Sequence, residues 1–181
     1  MRLCSFEVPT DVGPRRRVGV VDPAAGDDVA GQRLVDVTAG YGAVLADEGE
    51  PAAAELAAAE APPDMQAFLE RGERAMEAAR RARDAIAFDA DERGPTGARC
   101  WYDEGDVRLL SPLPRPNTLR DCMAFEEHVK NSLDGEVPDV WYDLPVYYKG
   151  NPTATVHPGE DVEWPDYTDA LDYELELAAG V

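Results

Sequence analysis

The chain has 181 residues, with 17 Lys+Arg set against 37 Asp+Glu for a formal net charge of −20. That length suits one domain, or one small domain and part of another, and the charge argues against nucleic acid or an anionic membrane as partner. Three scattered cysteines (Cys4, Cys100, Cys122) without a Cys-x-x-Cys, no apolar stretch of signal-peptide type and no apolar run near ~20 residues point to a soluble, cytoplasmic protein.

The first 38 residues read as short strands. Leu3-Cys4-Ser5-Phe6-Glu7-Val8 alternates, Val18-Gly19-Val20-Val21-Asp22 is an apolar run ending at a turn, and Leu34-Val35-Asp36-Val37-Thr38 alternates again. Connections rich in Gly, Pro and Asp separate them, which predicts a small antiparallel unit. Residues 41–61 are rich in Ala and Glu and read as a helix broken by Pro62-Pro63. Asp64 is a candidate N-cap for a second helix reaching about Phe88, with Met65, Phe68, Leu69, Met76 and Ala79 at helical spacing. The arginines of that helix, Arg74, Arg80, Arg81 and Arg83, alternate with Glu70, Glu73, Glu77 and Asp84, so they read as a solvated, ion-paired face. Residues 89–100 form a polar linker around Gly94-Pro95. Val107-Arg108-Leu109-Leu110 reads as a strand, and Pro112, Pro114 and Pro116 keep the next stretch extended.

A domain boundary is expected between about 89 and 112. The division is an N-terminal strand-and-helix region over residues 1–100 and a second, β-rich region over 101–181, so the fold class is α+β.

Near its end the chain alternates again. As a strand, Leu171, Tyr173, Leu175 and Leu177 share one face, and Asp172, Glu174 and Glu176 the other. Carboxylates at i and i+2 lie roughly 7 Å apart along a strand of about 3.3 Å rise per residue, a gap a hard divalent cation bridges if the side chains converge. The same pattern also describes a half-buried strand with a solvated acidic face. Lys130 and Lys149 are the only lysines. Abundant acid and Ala with so little Lys resemble the composition of proteins from salt-in halophiles, where concentrated salt screens self-repulsion.

Three segments of the second region combine into a more specific pattern. Residues 115–131 hold Asp121 and, seven positions on, His128. Next comes Leu144-Pro145-Val146-Tyr147-Tyr148-Lys149-Gly150-Asn151-Pro152, and last Leu171-Asp172-Tyr173-Glu174-Leu175-Glu176-Leu177-Ala178. Together, in this order, they resemble the fumarylacetoacetate hydrolase family over about residues 110–181.

The resemblance implies a metal-dependent hydrolase of C–C bonds in acylpyruvates and related diketo acids, or a hydratase or decarboxylase of 2-oxo acids. It implies a Mg²⁺, Mn²⁺ or Ca²⁺ ion held by Asp121, Glu174 and Glu176, with His128 as general base. It implies substrate contacts from Tyr148 and Lys149. All-oxygen ligation favours those ions over Zn²⁺, and a histidine outside the ligand set is free for proton transfer. Without the resemblance, Asp121 also reads as a first-turn helix acid and His128 as a surface histidine. His157, at a turn before Pro158-Gly159, reads as structural.

The chain departs from the family pattern in two places. Some smaller members carry a glutamate three residues after the histidine, where this chain has Asn131. The family's catalytic domain also continues beyond the Glu-x-Glu strand, supplying another metal-binding aspartate and a lysine. The chain therefore resembles a C-terminally truncated member holding part of a site, with a small oxo acid as substrate. It is expected to be inactive alone, and to form a homo-oligomer or to associate with a missing C-terminal part. The alternative is a non-catalytic remnant or interaction subunit whose sheet a second chain completes.

Overall fold

A computed structural model of the chain describes residues 1–22, 32–88, 91–133 and 135–180. The connection 23–31 and the start of the linker at 89–90 lie outside the described residues. The described residues combine helix and strand with antiparallel sheets, as an α+β chain should.

Strands β1 (Leu3–Val8), β2 (Arg15–Val21) and β3 (Arg33–Asp36) pair antiparallel, Leu3 opposite Val20 and Val20 opposite Val35. Two short strands, β4 (Trp101–Asp103) and β5 (Arg108–Leu109), close the edges, giving the order β4-β3-β2-β1-β5. Because side chains alternate across a strand, the sheet has two apolar faces. Val18, Val20 and Val35 face a helical layer, while Phe6, Val21, Leu34 and Tyr102 pack on the other side.

The helices differ from the predicted pair. Helix α1 (Val37–Asp47) starts at Val37, so the third strand ends at Asp36 rather than Thr38. The cause is Asp36 itself: its Oδ1 accepts from the Ala39 N–H at 3.0 Å and caps the helix. The single helix expected over 41–61 is two, α1 and α2 (Ala53–Glu60), separated at Gly49 (φ +84°), a left-handed position where a side chain is strained. The next helix is likewise two, α3 (Met65–Glu70) and α4 (Glu73–Ala85), broken at Gly72 (φ +59°). Asp64 does cap α3, accepting from the Ala67 N–H at 3.0 Å. Helix α4 buries a stripe of Ala75, Ala78, Ala79 and Ala82, and these small side chains let it approach α1 closely. Its outer arginines are ion-paired: Arg80 with Glu73 and Glu77, Arg83 with Asp84, Arg81 with Glu48, the residue that caps the end of α1.

The remainder packs lightly. Strands β6 (Leu119–Cys122) and β7 (Tyr147–Gly150) form a separate two-stranded antiparallel sheet, joined by α5 (Glu126–Ser132) and the short α6 (Val140–Asp143). The Trp141 Nε1–H donates to the Met123 carbonyl at 2.9 Å and ties α6 to the end of β6. Among the described residues beyond 110, Val129 alone is buried.

A few polar contacts join this part to the first sheet. The Ser111 N–H donates to His157 Nδ1 at 3.1 Å, and the His157 N–H donates to Glu160 Oε2 at 2.7 Å. Arg108 on β5 pairs with both Glu7 and Glu160. His157 thus has the structural role expected of it. No helix among the described residues is long and apolar enough to cross a membrane.

One sequence expectation fails outright. Residues 171–177 form no strand, and the face that was to carry Leu171, Tyr173, Leu175 and Leu177 is open to solvent, Leu175 and Leu177 being 94% and 99% exposed. Alternation decides which side chains share a face, but a strand needs a neighbour for its N–H and C=O groups. No strand among the described residues pairs with this segment.

Candidate metal centre

The site begins on β6. Asp121 stands opposite Tyr148 in the β6–β7 register, so the pairing alone sets an acid and a phenol side by side on one rung. After β6 the chain turns into α5, whose acidic first turn (Glu126, Glu127) suits the positive end of the helix dipole. Val129 points into what core this part has, and His128, its neighbour on the helix, projects into a cavity.

The segment 171–177 crosses the same region without strand structure. Its alternation persists to the extent that Glu174 and Glu176 both reach the cavity, whereas Leu175 does not. Asp121, Glu174 and Glu176 each offer a carboxylate oxygen, and the three oxygens lie within 4.8 Å of one another. All three residues are exposed.

The cavity holds about 510 Å³ and opens broadly to solvent. Its walls bring together Asp121, His128, Tyr148, Glu174 and Glu176, five of the six residues singled out from the sequence. Lys149 is not among them. It stands opposite Arg120 in the ladder, one rung further along β7 than the Asp121–Tyr148 pair. Asn131 is also absent from the walls, but Ser132 lines them, one helical turn beyond His128. The i,i+4 spacing was visible in the sequence and is the signal that would have found Ser132. Cys122, Met123, Ala124, Phe125, Val146 and Tyr147 complete the apolar part. The Arg120 guanidinium lies over the Tyr147 ring, 5.1 Å from its centroid, a cation–π contact to that wall.

The donor set suits a hard divalent cation. Three carboxylates at mutual distances under 5 Å repel one another unless a cation lies between them, and oxygen-only ligation matches Mg²⁺, Mn²⁺ or Ca²⁺. The remaining coordination positions would face the open cavity, leaving room for water or substrate oxygens.

Residues 117–181 match the family model described as Fumarylacetoacetate (FAA) hydrolase C-terminal. The resemblance read from the three sequence segments therefore stands, over nearly the same stretch of chain. No curated protein matches the chain.

Proposed function

We propose, from the match of residues 117–181 to the C-terminal domain of fumarylacetoacetate hydrolases, that this part of the chain carries a divalent-cation-dependent site for C–C bond hydrolysis in small diketo acids of the acylpyruvate type. The observation that carries the proposal is the meeting of three carboxylates from two distant segments in one cavity with His128 and Tyr148.

In this reading Asp121, Glu174 and Glu176 hold the cation. The bound ion supplies Lewis acidity, polarising the substrate's oxo oxygens and offsetting the charge that develops as the bond breaks. His128, outside the ligand set, takes a proton from water, and the resulting hydroxide adds to the distal carbonyl. The C–C bond then breaks toward the methylene carbon. One fragment leaves as a carboxylic acid, and the other takes up a proton and leaves as a 2-oxo acid. Tyr148, 72% exposed and across the rung from Asp121, offers its hydroxyl to the substrate. Lys149 enters only if the substrate's carboxylate extends past the edge of β7.

A second reading is favoured by the exposure of Leu175 and Leu177. Here the chain is an interaction subunit whose open segment pairs with another polypeptide, and the carboxylate cluster has no turnover of its own.

A Mn²⁺ titration followed by an acylpyruvate hydrolysis assay tests both. The first reading predicts Mn²⁺ binding, turnover with bound Mn²⁺ or Mg²⁺, and a loss of about 10²–10⁴ in kcat for His128→Ala, the range for removing a general base. Binding without turnover supports the second reading. Absence of Mn²⁺ binding refutes the metal centre.

A further inference from the structure

Residues 151–181 contain eight carboxylates (Glu160, Asp161, Glu163, Asp166, Asp169, Asp172, Glu174, Glu176) and neither Lys nor Arg. At the start of this stretch the charge is met by the protein: Glu160 pairs with Arg108 and accepts from the His157 N–H. Further on the bonds are local. The Trp164 Nε1–H donates to the Thr168 carbonyl, the Ala170 N–H to Thr168 Oγ1, and the Tyr173 N–H to the neighbouring Asp172 carboxylate. Among the described residues, no backbone hydrogen bond joins 169–180 to any other element, and no residue of that segment is buried. Yet Glu174 and Glu176 stand beside Asp121, at a separation where like charges repel. Among the described residues no ladder, ion pair or fully buried side chain holds the segment there, and half-exposed Leu171 is its most covered large apolar side chain.

We infer that a divalent cation is the tie that docks residues 169–180 onto the β6–β7 sheet, so that metal binding and the ordering of this segment are one event. The inference rests on the reading of Asp121, Glu174 and Glu176 as ligands. It adds that the site is not preformed: one ligand comes from a paired strand and two from a segment that the ion itself brings in. Metal binding then carries the cost of ordering the segment, and the bound state protects it. The docked segment also brings Glu174 and Glu176 into the cavity that His128 and Tyr148 line.

Chymotrypsin reads this directly, because Tyr167, Leu171, Tyr173, Leu175 and Leu177 are cleavable positions within or beside the segment. The full chain is digested in KCl and in Mn²⁺ at matched ionic strength, and mass spectrometry gives the rate at each position. Mn²⁺ occupancy is measured separately by electron paramagnetic resonance. At about ten times the measured Kd, cleavage at Tyr173 and Leu175 should slow about tenfold, the factor by which ligand depletes the open form. Cleavage at Tyr142 and Leu144, outside the cavity walls, should not change. The double variant Glu174→Gln/Glu176→Gln should lose the protection, and His128→Ala should keep it.

Mn²⁺ bound with cleavage unchanged would overturn the inference and leave the metal centre standing. No Mn²⁺ bound would remove both. Equal protection by KCl would assign the effect to ionic screening and overturn the inference as well.

Discussion

Asp36 joins β3 to α1 and is completely buried, with 0% of its surface exposed. One carboxylate oxygen caps the helix through the Ala39 N–H. The other lies 3.1 Å from Arg17 Nε, yet neither that oxygen nor that nitrogen has a well-aligned hydrogen-bond partner. Two effects compete: burial favours the neutral acid, whereas Arg17 and the backbone N–H groups of Ala39 and Thr38 favour the anion. Burial wins and lifts the Asp36 carboxyl from 3.8 to about 6.

The folded protein therefore binds this proton more tightly than the unfolded chain does. The stabilisation from Asp36 is complete below about pH 4 and is lost as pH rises through about 6. A shift of about two units, at about 1.4 kcal/mol each, amounts to about 3 kcal/mol between those limits. Asp36→Asn keeps an oxygen for the cap and cannot ionise, and Arg17, partly exposed, can turn its charge toward water. Urea unfolding of both proteins, followed by tryptophan fluorescence at pH 4, 5, 6 and 7 in fixed salt, isolates the term. Every other titrating group cancels in the difference. The variant should gain on the native protein by about 2 kcal/mol from pH 4 to pH 7, because the unfolded carboxyl is already more than half ionised at pH 4. A difference that is flat with pH, or a variant that loses ground as pH rises, would refute the reasoning and mean that Arg17 holds the anion more strongly than burial opposes it.

Thermal melts in ~0.1 M and ~3 M KCl should show a higher midpoint in concentrated salt, because the −20 charge is then screened over a few Å; a constant or falling midpoint would rule out the adaptation read from composition. His157→Ala removes the acceptor of the Ser111 N–H, so it should cost about 1 kcal/mol and speed proteolysis over 155–165 without altering cleavage in the first sheet. Among the cysteines, exposed Cys122 should react with a disulfide reagent in the folded protein. Cys4 and Cys100, whose thiols burial pushes up to about 12, should react only on unfolding; fast modification of more than one thiol under native conditions would contradict the burial.

The parts legible in the sequence were those fixed by local rules. Alternation located β1, an apolar run located β2, and a carboxylate placed before an apolar run located the cap at Asp64. The same rule was available at Asp36, but the valines around it also fit a strand, and only the Ala39 N–H in three dimensions decides for the helix. Ala-rich composition concealed the breaks at Gly49 and Gly72, since alanine favours helix on either side of a break. The segment 171–177 failed for a different reason: its pattern was genuine, but pairing is a property of the neighbour and cannot be read from one strand. The carboxylate cluster was legible only as a spacing within Glu174-Leu175-Glu176 and as a family likeness at Asp121. That these meet within 4.8 Å depends on how β6 and the late segment cross.

The ion pairs carry a lesson in arithmetic. Carboxylates outnumber cationic side chains 37 to 17, so pairing one to one would leave more than half of them unmatched. The structure divides single guanidinium groups between two acids: Arg80 between Glu73 and Glu77, Arg99 between Asp91 and Asp106, Arg108 between Glu7 and Glu160. A planar fork with five N–H donors reaches two carboxylates at once, a geometry that a lysine ammonium, a compact point charge, matches poorly. The near absence of lysine thus becomes a rationing device, in which each scarce cation has the form that can be shared. Arg108→Lys would preserve the charge and surrender one of its two acids, loosening either the edge strand at Glu7 or the turn at Glu160.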